Sequence, residues 1–511
     1  MPARLQEKPV VAPDLGLISG TPRHAIPPRG WYSVKNARFQ RGKALKVPGF
    51  EDIPGSPLTG QVTGIYEYRK STGYSAWIIT TTSKIYKKTD TDAVPVDITN
   101  AGWDPNPDDW SDFTNFRDTL IITNGKNPVK SWDGIAATVS DLAGSPPKAR
   151  RVDVFQNHVL LTHIDPYAAS PAPQKTQWSD LGSATTWVGG EAGSLSFLDE
   201  PTSLLDAVPL RDSMILYKED AGYLMDYAGF PFTMTSRRLF TGFGPIASRI
   251  IANVRDAHYW LSTDNHVYKT TLSGPEPVGQ SVRTELFDNL NFERKSRAFA
   301  FVHQPDNEIH FTVPTGAATF PDKSYIMAYL EDKWGSRELS ATAAAERGVR
   351  RLDVLTWDEV TTPWDAQVTV WDGATLQIGA DMIMHGTSTG AVFQHSEGVM
   401  DADGVAIDFD IETGMDAFDQ PARKKRCQRL HLQYEAASGT VLTIHPLTAS
   451  GPGITPTVGA AITFTLDGSG DQWVDLDLTA AWFGWRFRNA NSNQPVTITG
   501  YAPAVYVRGE S

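Results

Sequence analysis

The chain contains a single cysteine, Cys427, among its 511 residues. One thiol cannot form an internal disulfide bond, and it cannot supply two thiolate ligands to a zinc site. We therefore expect the protein to mature in a reducing compartment, or to need no covalent bridges. Residues 1–8 carry charges without a following apolar run, and no stretch approaches the roughly 18 apolar residues of a membrane helix. Neither a secretory signal nor a membrane span is expected.

Sequence motifs of catalysis and cofactor binding are also missing. The chain has no P-loop, no dinucleotide-binding glycine fingerprint, no His-Glu-x-x-His and no Gly-x-Ser-x-Gly. Residues 242–245 read Gly-Phe-Gly-Pro, which we interpret as a bend between repeats rather than a phosphate-binding turn. Among the loose histidine pairs, only His258 and His266 have the even spacing of a strand-borne metal site, and a turn separates them. The sequence predicts no catalytic residue, no metal and no cofactor, and therefore not an enzyme.

Positive charge is in short supply, since the net charge is −13. A protein that grips DNA phosphates carries a basic face, so this balance argues against tight nucleic-acid binding. It is compatible with a surface that DNA passes without sticking, or with solubility alone. The densest basic run could contact DNA or an acidic partner, or could be a solvated strand edge that discourages aggregation. Smaller basic clusters at residues 148–151 and 294–297 are interpreted in the same way. The dense run consists of Arg423, Lys424, Lys425 and Arg426.

A short unit recurs through much of the chain and makes use of its 15 tryptophans. An apolar run is followed by a polar turn and a second short run that often ends in an aromatic residue. The copies begin roughly 40–55 residues apart, near the period of four-stranded propeller blades. We predict a β-propeller of six or seven blades over residues 56–400. Only residues 340–350 are alanine-rich enough to predict a helix, of about two turns. Copies of the unit begin at residues 76, 118, 157, 212, 257 and 307.

Aspartate follows tryptophan at five positions within this region. We interpret the tryptophans as covers of a sheet edge and the aspartates as acceptors for turn amides. The alternative is a catalytic carboxylate pair, which requires two such groups about 5–10 Å apart. The five pairs are Trp103-Asp104, Trp132-Asp133, Trp357-Asp358, Trp364-Asp365 and Trp371-Asp372.

The two ends of the chain read differently from the repeats. Residues 1–55 contain proline-rich extended stretches and a predicted hairpin that turns at Arg41 and Gly42. This N-terminal arm could close the propeller ring or pair with a neighbouring subunit. Residues 401–511 alternate with a period of two, as in Val405, Ile407 and Phe409, which predicts an antiparallel β-sandwich. The sequence thus predicts an all-β protein with an extended N-terminal arm, a β-propeller and a C-terminal sandwich.

Residues 36–50 begin with the pattern Asn-x-x-Phe-x-x-Gly, within the predicted hairpin. This segment resembles the opening hairpin of the tail nozzle (hub) proteins of short-tailed bacteriophages. Residues 122–134 are similar to its Thr-Asn-Gly…Pro…Trp-Asp-Gly blade. Trp178 and Trp187, a Leu-Tyr-Lys unit ending at Lys218 and the unit at residues 261–268 follow in the family's order. The resemblance covers roughly residues 30–335 and rests on the order of the phrases.

The resemblance implies a structural virion protein without turnover. Nozzles of this family form a hexameric ring of propeller subunits below the portal and its adaptor. Double-stranded DNA leaves through the ring, and tail fibres or a needle attach around it. The location implied is the virion tail, with the host cytoplasm during assembly.

Two other functions remain open at the level of the sequence. A propeller-type carbohydrate-active enzyme would carry a carboxylate pair in its central pocket. A glycan-binding tail protein would use the sandwich, with Trp473, Trp482 and Trp485 as stacking platforms. Core packing is the alternative role of these three tryptophans.

Overall fold

The computed structural model describes residues 5–347, 382–396 and 398–507. Regular structure in these ranges is almost entirely β, as predicted, and forms a propeller joined to a sandwich. The exceptions are one α-helix, Arg283–Asn289, and two 3-10 helices, Arg23–Ala25 and Phe292–Arg297. Across the same ranges, none of the helices has the length and apolar character needed to cross a membrane.

Five four-stranded antiparallel sheets follow one another along the chain, and each uses its strands in sequence order. We call them blades 1 to 5. Blade 1 contains Val62–Arg69, Ser75–Thr81, Ile85–Lys88 and Val96–Asp97; blade 2 contains Asp112–Phe116, Thr119–Thr123, Lys130–Trp132 and Ser140–Asp141; blade 3 contains Ala149–Phe155, His158–Ile164, Ala172–Trp178 and Gly193–Ser196; blade 4 contains Leu204–Leu210, Ser213–Lys218, Ala221–Gly229 and Thr233–Thr241; blade 5 contains Ala252–Val254, Ala257–Leu261, Val267–Thr271 and Gly274–Val278.

Two further blades complete the ring in the described residues. Their strands differ in origin, because blade 7 takes its outer strand, Gly49–Asp52, from the N-terminal segment. The first strand of blade 7 contacts the first strands of blades 6 and 1, so the ring closes with seven blades. The strand directly after the opening hairpin therefore closes the propeller. Blade 6 contains Phe299–His303, Glu308–Val313, Lys323–Ala328 and Lys333–Glu338; blade 7 contains Ala343–Arg347, Met382–Gly386, Val392–Ser396 and Gly49–Asp52, with Asp401–Ala402 and Val405–Ala406 at its edge.

The helix predicted at residues 340–350 is wrong where the structure describes it. Residues Ala343–Arg347 form the first strand of blade 7 and pair with Met382–Gly386. Ala343 is buried with Val62 and Ile79 of blade 1. Helix propensity is a weak preference, and here the pairing with a neighbouring strand and the burial of small side chains between blades outweigh it. Residues 348–350 lie outside the described ranges, as do the Trp-Asp pairs at 357, 364 and 371.

The predicted opening hairpin is confirmed and links the two parts of the molecule. Its strands are Ala37–Gln40 and Lys43–Lys46, with Arg41 at φ 48° and Gly42 at φ 83°. The first hairpin strand pairs with the outer strand of blade 6, and the second pairs with the C-terminal strand Thr497–Val507. The result is one sheet of 11 strands that runs from the propeller into the sandwich.

The sandwich packs the far end of this sheet against a second sheet of six strands. Trp31 lies between them, with its ring centroid 6.1 Å from that of Phe487 and 6.4 Å from that of Tyr501. Both sheets contain strands from the N-terminal segment. The sandwich part of the joined sheet contains Leu5–Glu7, Val10–Val11, Lys43–Lys46, Thr497–Val507, Lys425–Glu435 and Asp471–Ala480; the second sheet contains Trp31–Lys35, Phe409–Thr413, Trp482–Asn489, Val441–Ala449, Thr457–Val458 and Ile462–Thr465.

A two-residue turn joins the first and second strands of blades 2 to 5 and repeats its chemistry. The first turn residue has a positive φ in each case, the geometry of tight hairpins. Its side chain reaches the turn of the next blade: Arg117 Nε lies 3.3 Å from Asn157 Oδ1, and Arg211 Nε lies 2.8 Å from Asp256 Oδ1. We call this set the turn ring; it consists of Arg117-Asp118, Gln156-Asn157, Arg211-Asp212 and Arg255-Asp256.

Candidate functional site

Charged side chains from three blades meet near the centre of the propeller. The first strand of each blade lies innermost, since consecutive first strands contact one another around the ring. Arg151 of blade 3 is 5% exposed and bridges its neighbours. Its Nη1 lies 3.4 Å from Asp112 Oδ1 of blade 2, and its Nε lies 3.9 Å from Asp206 Oδ1 of blade 4. With Asp153 of blade 3, these residues form what we call the axial cluster.

Backbone amides hold the axial carboxyl groups in place. The N–H of Val152 donates to Asp112 Oδ2 at 2.8 Å, and the N–H of Ala207 donates to Asp206 Oδ1 at 2.9 Å. The N–H of Val154 donates to Asp153 Oδ1 at 2.6 Å. The three carboxyl groups are therefore fixed in orientation, and two of them, Asp112 and Asp206, share the guanidinium of Arg151.

Burial raises the pKa of all three carboxyl groups. The pKa of Asp153 rises to about 8 because burial disfavours its ionised form, and the charges of Asp112 and Asp206 add to the shift. Burial also raises the pKa of Asp112 and Asp206, although Arg151 opposes the rise. The side chain of Asp112 is 27% exposed. At neutral pH Asp153 therefore holds a proton.

Aromatic and cationic groups surround the axial cluster. The ring of Tyr66 in blade 1 stacks on Phe113 at 5.4 Å between centroids, and burial raises the pKa of Tyr66 to about 12. The guanidinium of Arg249 lies 3.9 Å over the Trp110 ring and donates to the carbonyl of Thr342 at 3.0 Å. Burial, followed by the charge of Arg151, lowers the pKa of Arg249.

The basic residues at 148–151 and 294–297 are not wholly a solvated edge, and that interpretation is wrong for two of them. Arg151 and Arg297 are 5% and 8% exposed. Arg297 donates to both oxygens of Asp108, at 2.8 and 3.1 Å. Charged groups this deep are held by partners because an unpaired buried charge is costly. The axial carboxylates were not identified from the sequence, although Asp112, Asp153 and Asp206 recur at about the blade spacing.

A second charged cluster lies where blade 6 meets the opening hairpin. His303, Asp306 and Glu308 offer ligand atoms within 4.8 Å of one another. The guanidinium of Arg38 contacts Asp306 and lies 3.7 Å from Glu308 Oε1, and Gln40 Nε2 donates to the same Glu308 oxygen at 2.6 Å. Arg38 thus supplies the positive charge that a metal ion would bring. The cluster is explained as a buried ion network that fixes the hairpin to blade 6.

The predicted contact residues of the basic run fall into two groups. Arg423 and Lys424 have exposed side chains. Lys425 is fully buried, and its ammonium donates to the carbonyls of Gln420 at 2.6 Å and Arg423 at 3.0 Å. Arg426 donates to both carboxylate oxygens of Asp477, at 2.8 and 3.1 Å. The geometry therefore leaves Arg423 and Lys424 for contact with a partner. Lys425 is excluded because it is buried, and Arg426 is already paired with Asp477.

The three tryptophans of the sandwich also divide. Trp485 is 3% exposed and belongs to the core, which agrees with packing. Trp482 is 9% exposed and lines a cavity, while Trp473 is 46% exposed and stacks on His431 at 4.5 Å. Only Trp473 presents an open face.

Other sequence predictions are resolved by local contacts. Asp133 accepts the amides of Ile135 at 2.9 Å and Ala136 at 2.8 Å, which confirms an Asx turn. His258 is buried between the hydroxyl of Tyr217 and the carbonyl of Pro209, each at 2.9 Å. Residues 242–245 connect blades 4 and 5, as predicted. The contacts of Asp133 and His258 therefore give both side chains structural roles.

No protein-family profile matches the chain, and no curated protein matches it. Among solved structures, BamB from Moraxella catarrhalis is 10% identical over 66% of this chain and 83% of its own, with a TM-score of 0.35. PorZ, a surface component of the type-IX secretion system of Porphyromonas gingivalis, is 12% identical over 84% of this chain and 46% of its own, with a TM-score of 0.37. The WD40 domain of Neurospora crassa Pan2 is 9% identical over 68% of this chain and 93% of its own, with a TM-score of 0.38. Similarities this distant carry no argument about function.

Proposed function

We propose that this chain is a structural protein of a bacteriophage tail, the subunit of a ring-shaped nozzle that conducts DNA. The observation that carries the proposal is the role of residues 36–50, the segment that resembles the opening of nozzle proteins. Its hairpin joins blade 6 to the sandwich, and Gly49–Asp52 closes blade 7. Because this segment has two architectural roles, few other sequences would fit it. We expect such a segment to keep a recognisable sequence among proteins that share the fold.

The remaining phrases support the same proposal through their positions. Residues 122–134 form the middle of blade 2, Trp178 ends the third strand of blade 3, and Lys218 ends the second strand of blade 4. Each phrase thus supplies the packing or turn of a separate blade. The net charge of −13 suits a wall that double-stranded DNA passes without being held.

The partners that follow from this function are other copies of the chain and the neighbouring parts of the tail. We propose a hexameric ring attached to the portal-adaptor protein, with tail fibres or needle proteins on its distal side. Arg423 and Lys424 are the residues proposed to contact DNA or an acidic partner. The protein would reside in the virion tail and, during assembly, in the host cytoplasm.

Mass photometry and negative-stain imaging of the purified full chain test the ring. The expected particle contains six copies of a 56.0 kDa chain and shows sixfold symmetry. A strict monomer, both alone and within virions, would contradict the proposal.

A second candidate function is a propeller-type carbohydrate-active enzyme, and the axial cluster is the observation that favours it. Such an enzyme needs one carboxyl group that holds its proton at neutral pH and one that stays ionised. Asp153, with a pKa raised to about 8, has the first property. Asp112 is the candidate for the second, because Arg151, with Nη1 3.4 Å from Asp112 Oδ1, opposes the rise that burial causes in its pKa.

A panel of polysaccharides tests this candidate. An enzyme should release reducing ends from at least one polysaccharide, and both Asp153→Asn and Asp112→Asn should lower the rate by two orders of magnitude or more. Ser213→Ala, which changes another blade strand, serves as the control. Equal, background-level release by all proteins would remove the enzyme from consideration.

A further inference from the structure

The strand that closes the propeller lies beside two buried histidines. Gly49–Asp52 pairs with the blade 7 strand Val392–Ser396 and places Phe50 opposite His395. The centroid of the Phe50 ring lies 5.5 Å from that of His395 and 4.7 Å from that of His385, on the neighbouring strand of blade 7. His385 and His395 are 1% and 6% exposed. We call the pairing of Gly49–Asp52 with blade 7, together with these two histidines, the closing seam.

A chain of hydrogen bonds fixes the protonation state of both histidines. Nη1 of Arg337, in blade 6, lies 3.1 Å from His395 Nδ1, and His395 Nε2 lies 2.8 Å from His385 Nδ1. Because a guanidinium can only donate, His395 Nδ1 accepts and His395 Nε2 carries the proton. His385 Nδ1 therefore accepts from His395. A further proton on either ring would have to occupy a nitrogen that already accepts a hydrogen bond.

Arg337 also ties the closing seam to blade 6. It is 2% exposed, and its Nη2 donates to the carbonyl of Pro48, the residue before the closing strand, at 2.9 Å. Its guanidinium lies 5.6 Å from the centroid of the Phe50 ring. Burial lowers the pKa of Arg337 to about 10, which still leaves it charged at neutral and acidic pH. A proton on His395 Nδ1 would therefore remove an acceptor from Arg337 and set a second positive charge against it.

Burial and the charge of Arg337 keep both rings neutral in the closed seam. Burial, followed by the charge of Arg337, lowers the pKa of His385 to about 3. The same two causes, in the same order, lower the pKa of His395 well below its ordinary value. Two further histidines of blade 6, His303 and His310, would add to the opposition if they were charged.

The acidic groups around the seam are bound to other partners or exposed. Glu308 Oε2 lies 3.4 Å from His310 Nε2, and Asp306 contacts Arg38 of the opening hairpin. Glu346, in the first strand of blade 7, accepts a backbone amide of blade 6 at 3.1 Å. Among the described residues, none of these carboxylates pairs with the two seam histidines. The other acidic groups on and beside the closing strand are Glu51, Asp52, Asp401 and Asp403.

We propose that the closing seam is an acid-sensitive switch, in which Gly49–Asp52 separates from blade 7 as His385 and His395 take up protons. In the open seam both rings meet water and regain the ordinary histidine pKa of about 6.5. The open state then binds more protons than the closed state below this pH, so acid favours opening. The closing strand has only four residues, and its release leaves the other strands of blade 7 paired. The switch acts within one chain and does not depend on the proposed nozzle.

The chemistry of two histidines sets the size of the effect. Each histidine that is neutral when closed and protonated when open multiplies the opening equilibrium constant by up to about ten for each pH unit below about 6. Between pH 7 and pH 5, the pair should therefore increase opening by about a hundredfold or more.

Hydrogen exchange of the full chain, followed by mass spectrometry at pH 7 and pH 5, measures this opening. Exchange rates are corrected for the chemical effect of pH on exchange itself. Gly49–Asp52 and Val392–Ser396 should lose protection by about a hundredfold at pH 5, while Thr119–Thr123 of blade 2, a blade without histidine, keeps its protection. Seam protection that changes by less than about threefold would overturn the proposal in the wild-type chain alone. An equal loss in blade 2 would show global unfolding and would overturn it too.

The double variant His385→Asn, His395→Gln tests whether these two rings carry the effect. Their amides can accept and donate hydrogen bonds but do not titrate. The pH dependence of seam protection should fall to less than about threefold in the double variant and to about tenfold in each single variant. His258→Gln, which replaces a buried histidine of blade 5, is the matched control and should keep the wild-type dependence. A hundredfold loss that persists in the double variant, or in both single variants, would overturn the assignment to His385 and His395.

Discussion

The propeller and the sandwich bury their strands in different ways. In the propeller, the second strands of blades 1, 4, 5 and 6 are buried along their whole length, as in Ser75–Thr81 and Glu308–Val313. In the sandwich, Asp471–Ala480 alternates between exposed and buried positions over much of its length. A blade has a neighbour on each face, whereas each sandwich sheet has a covered face and an open one. A continuous apolar run therefore indicates a strand that is covered on both faces. Alternation indicates a strand that is covered on one face.

Adjacent residues show this difference most clearly. Ile78 and Ile79 of blade 1 are both fully buried, but they belong to different cores. Ile78 packs with Leu120 and Trp132 of blade 2. Ile79 packs on the opposite face with residues of blade 7, including Val392. Every blade therefore contributes to two interfaces, and ring closure is required to cover both faces of blades 1 and 7.

Removing residues 1–50 should have the largest effect, because it damages both regions at once. The deletion removes the strand Trp31–Lys35 from the sandwich, the hairpin that joins the two regions, and part of Gly49–Asp52 in blade 7. We expect no cooperative unfolding transition by circular dichroism or calorimetry. Removing only residues 1–4 is the control and should leave the transition in place. A deleted chain with the wild-type melting temperature would contradict the interdependence of the two regions.

Alanine substitutions at neighbouring positions should separate the two burial patterns. Ile78→Ala and Ile79→Ala should each reduce the free energy of unfolding by about 2–5 kcal/mol, since both leave a cavity. In the sandwich strand Lys425–Glu435, Leu432 is fully buried and Gln433 is exposed. Leu432→Ala should cost a similar about 2–5 kcal/mol, but Gln433→Ala should stay within about 0.5 kcal/mol. Urea denaturation measures all four, and equal losses at Leu432 and Gln433 would refute the contrast.

The sequence was informative about local pairing and much less so about which distant segments meet. The apolar runs and the Arg41-Gly42 turn predict blades and a hairpin because their signals lie within a few residues. The alternation from Val405 to Phe409 is misleading at its start, where Val405 is 67% exposed at the edge of blade 7. Gly49–Asp52 pairs with Val392–Ser396 across most of the chain, and no local pattern encodes that partner.

The axial cluster could not be predicted from the sequence for the same reason. Asp112 and Asp206 come from blades 2 and 4, and only ring geometry brings them to Arg151 of blade 3, the strand that also carries Asp153. The recurring apolar residue followed by Arg-Asp at the turns of blades 2, 4 and 5 was a readable signal that marks equivalent positions. Aligning the blades on that turn would have placed Asp112 of blade 2 and Asp206 of blade 4 at equivalent positions, each five residues before the turn arginine.

Asp153 should make the stability of the propeller depend on pH. Its pKa is raised to about 8 in the folded protein, against about 3.9 in an unfolded chain. The folded state therefore binds more protons between these values, and stability decreases as pH rises from about 4 towards 8. Asp153→Asn removes this contribution, so its stability relative to wild type should increase between pH 5 and pH 8. The expected change is on the order of 1 kcal/mol per pH unit.

Denaturant curves of wild type and Asp153→Asn at pH 5, 6, 7 and 8 make this measurement. Phe232→Asp is the control, because Phe232 lies in the turn between Ala221–Gly229 and Thr233–Thr241 and is 76% exposed. The stability of this variant should change with pH in parallel with that of wild type. Parallel curves for Asp153→Asn would show that Asp153 does not retain its proton in the folded propeller.

The turn ring should give the smallest effect, although its contacts repeat from blade to blade. The pair of Arg211 and Asp256 connects blades 4 and 5, with side chains 57% and 64% exposed. Water and salt screen exposed pairs, so the apolar contacts between blades, not the turn ring, should hold neighbouring blades together. Arg211→Ala should therefore leave the melting temperature unchanged within experimental error at 0.15 M salt. Ile215→Ala, in the adjacent strand Ser213–Lys218 and fully buried, is the comparison and should lower it by several degrees. An equal decrease in melting temperature for Arg211→Ala and Ile215→Ala would instead show that the turn contacts hold neighbouring blades together.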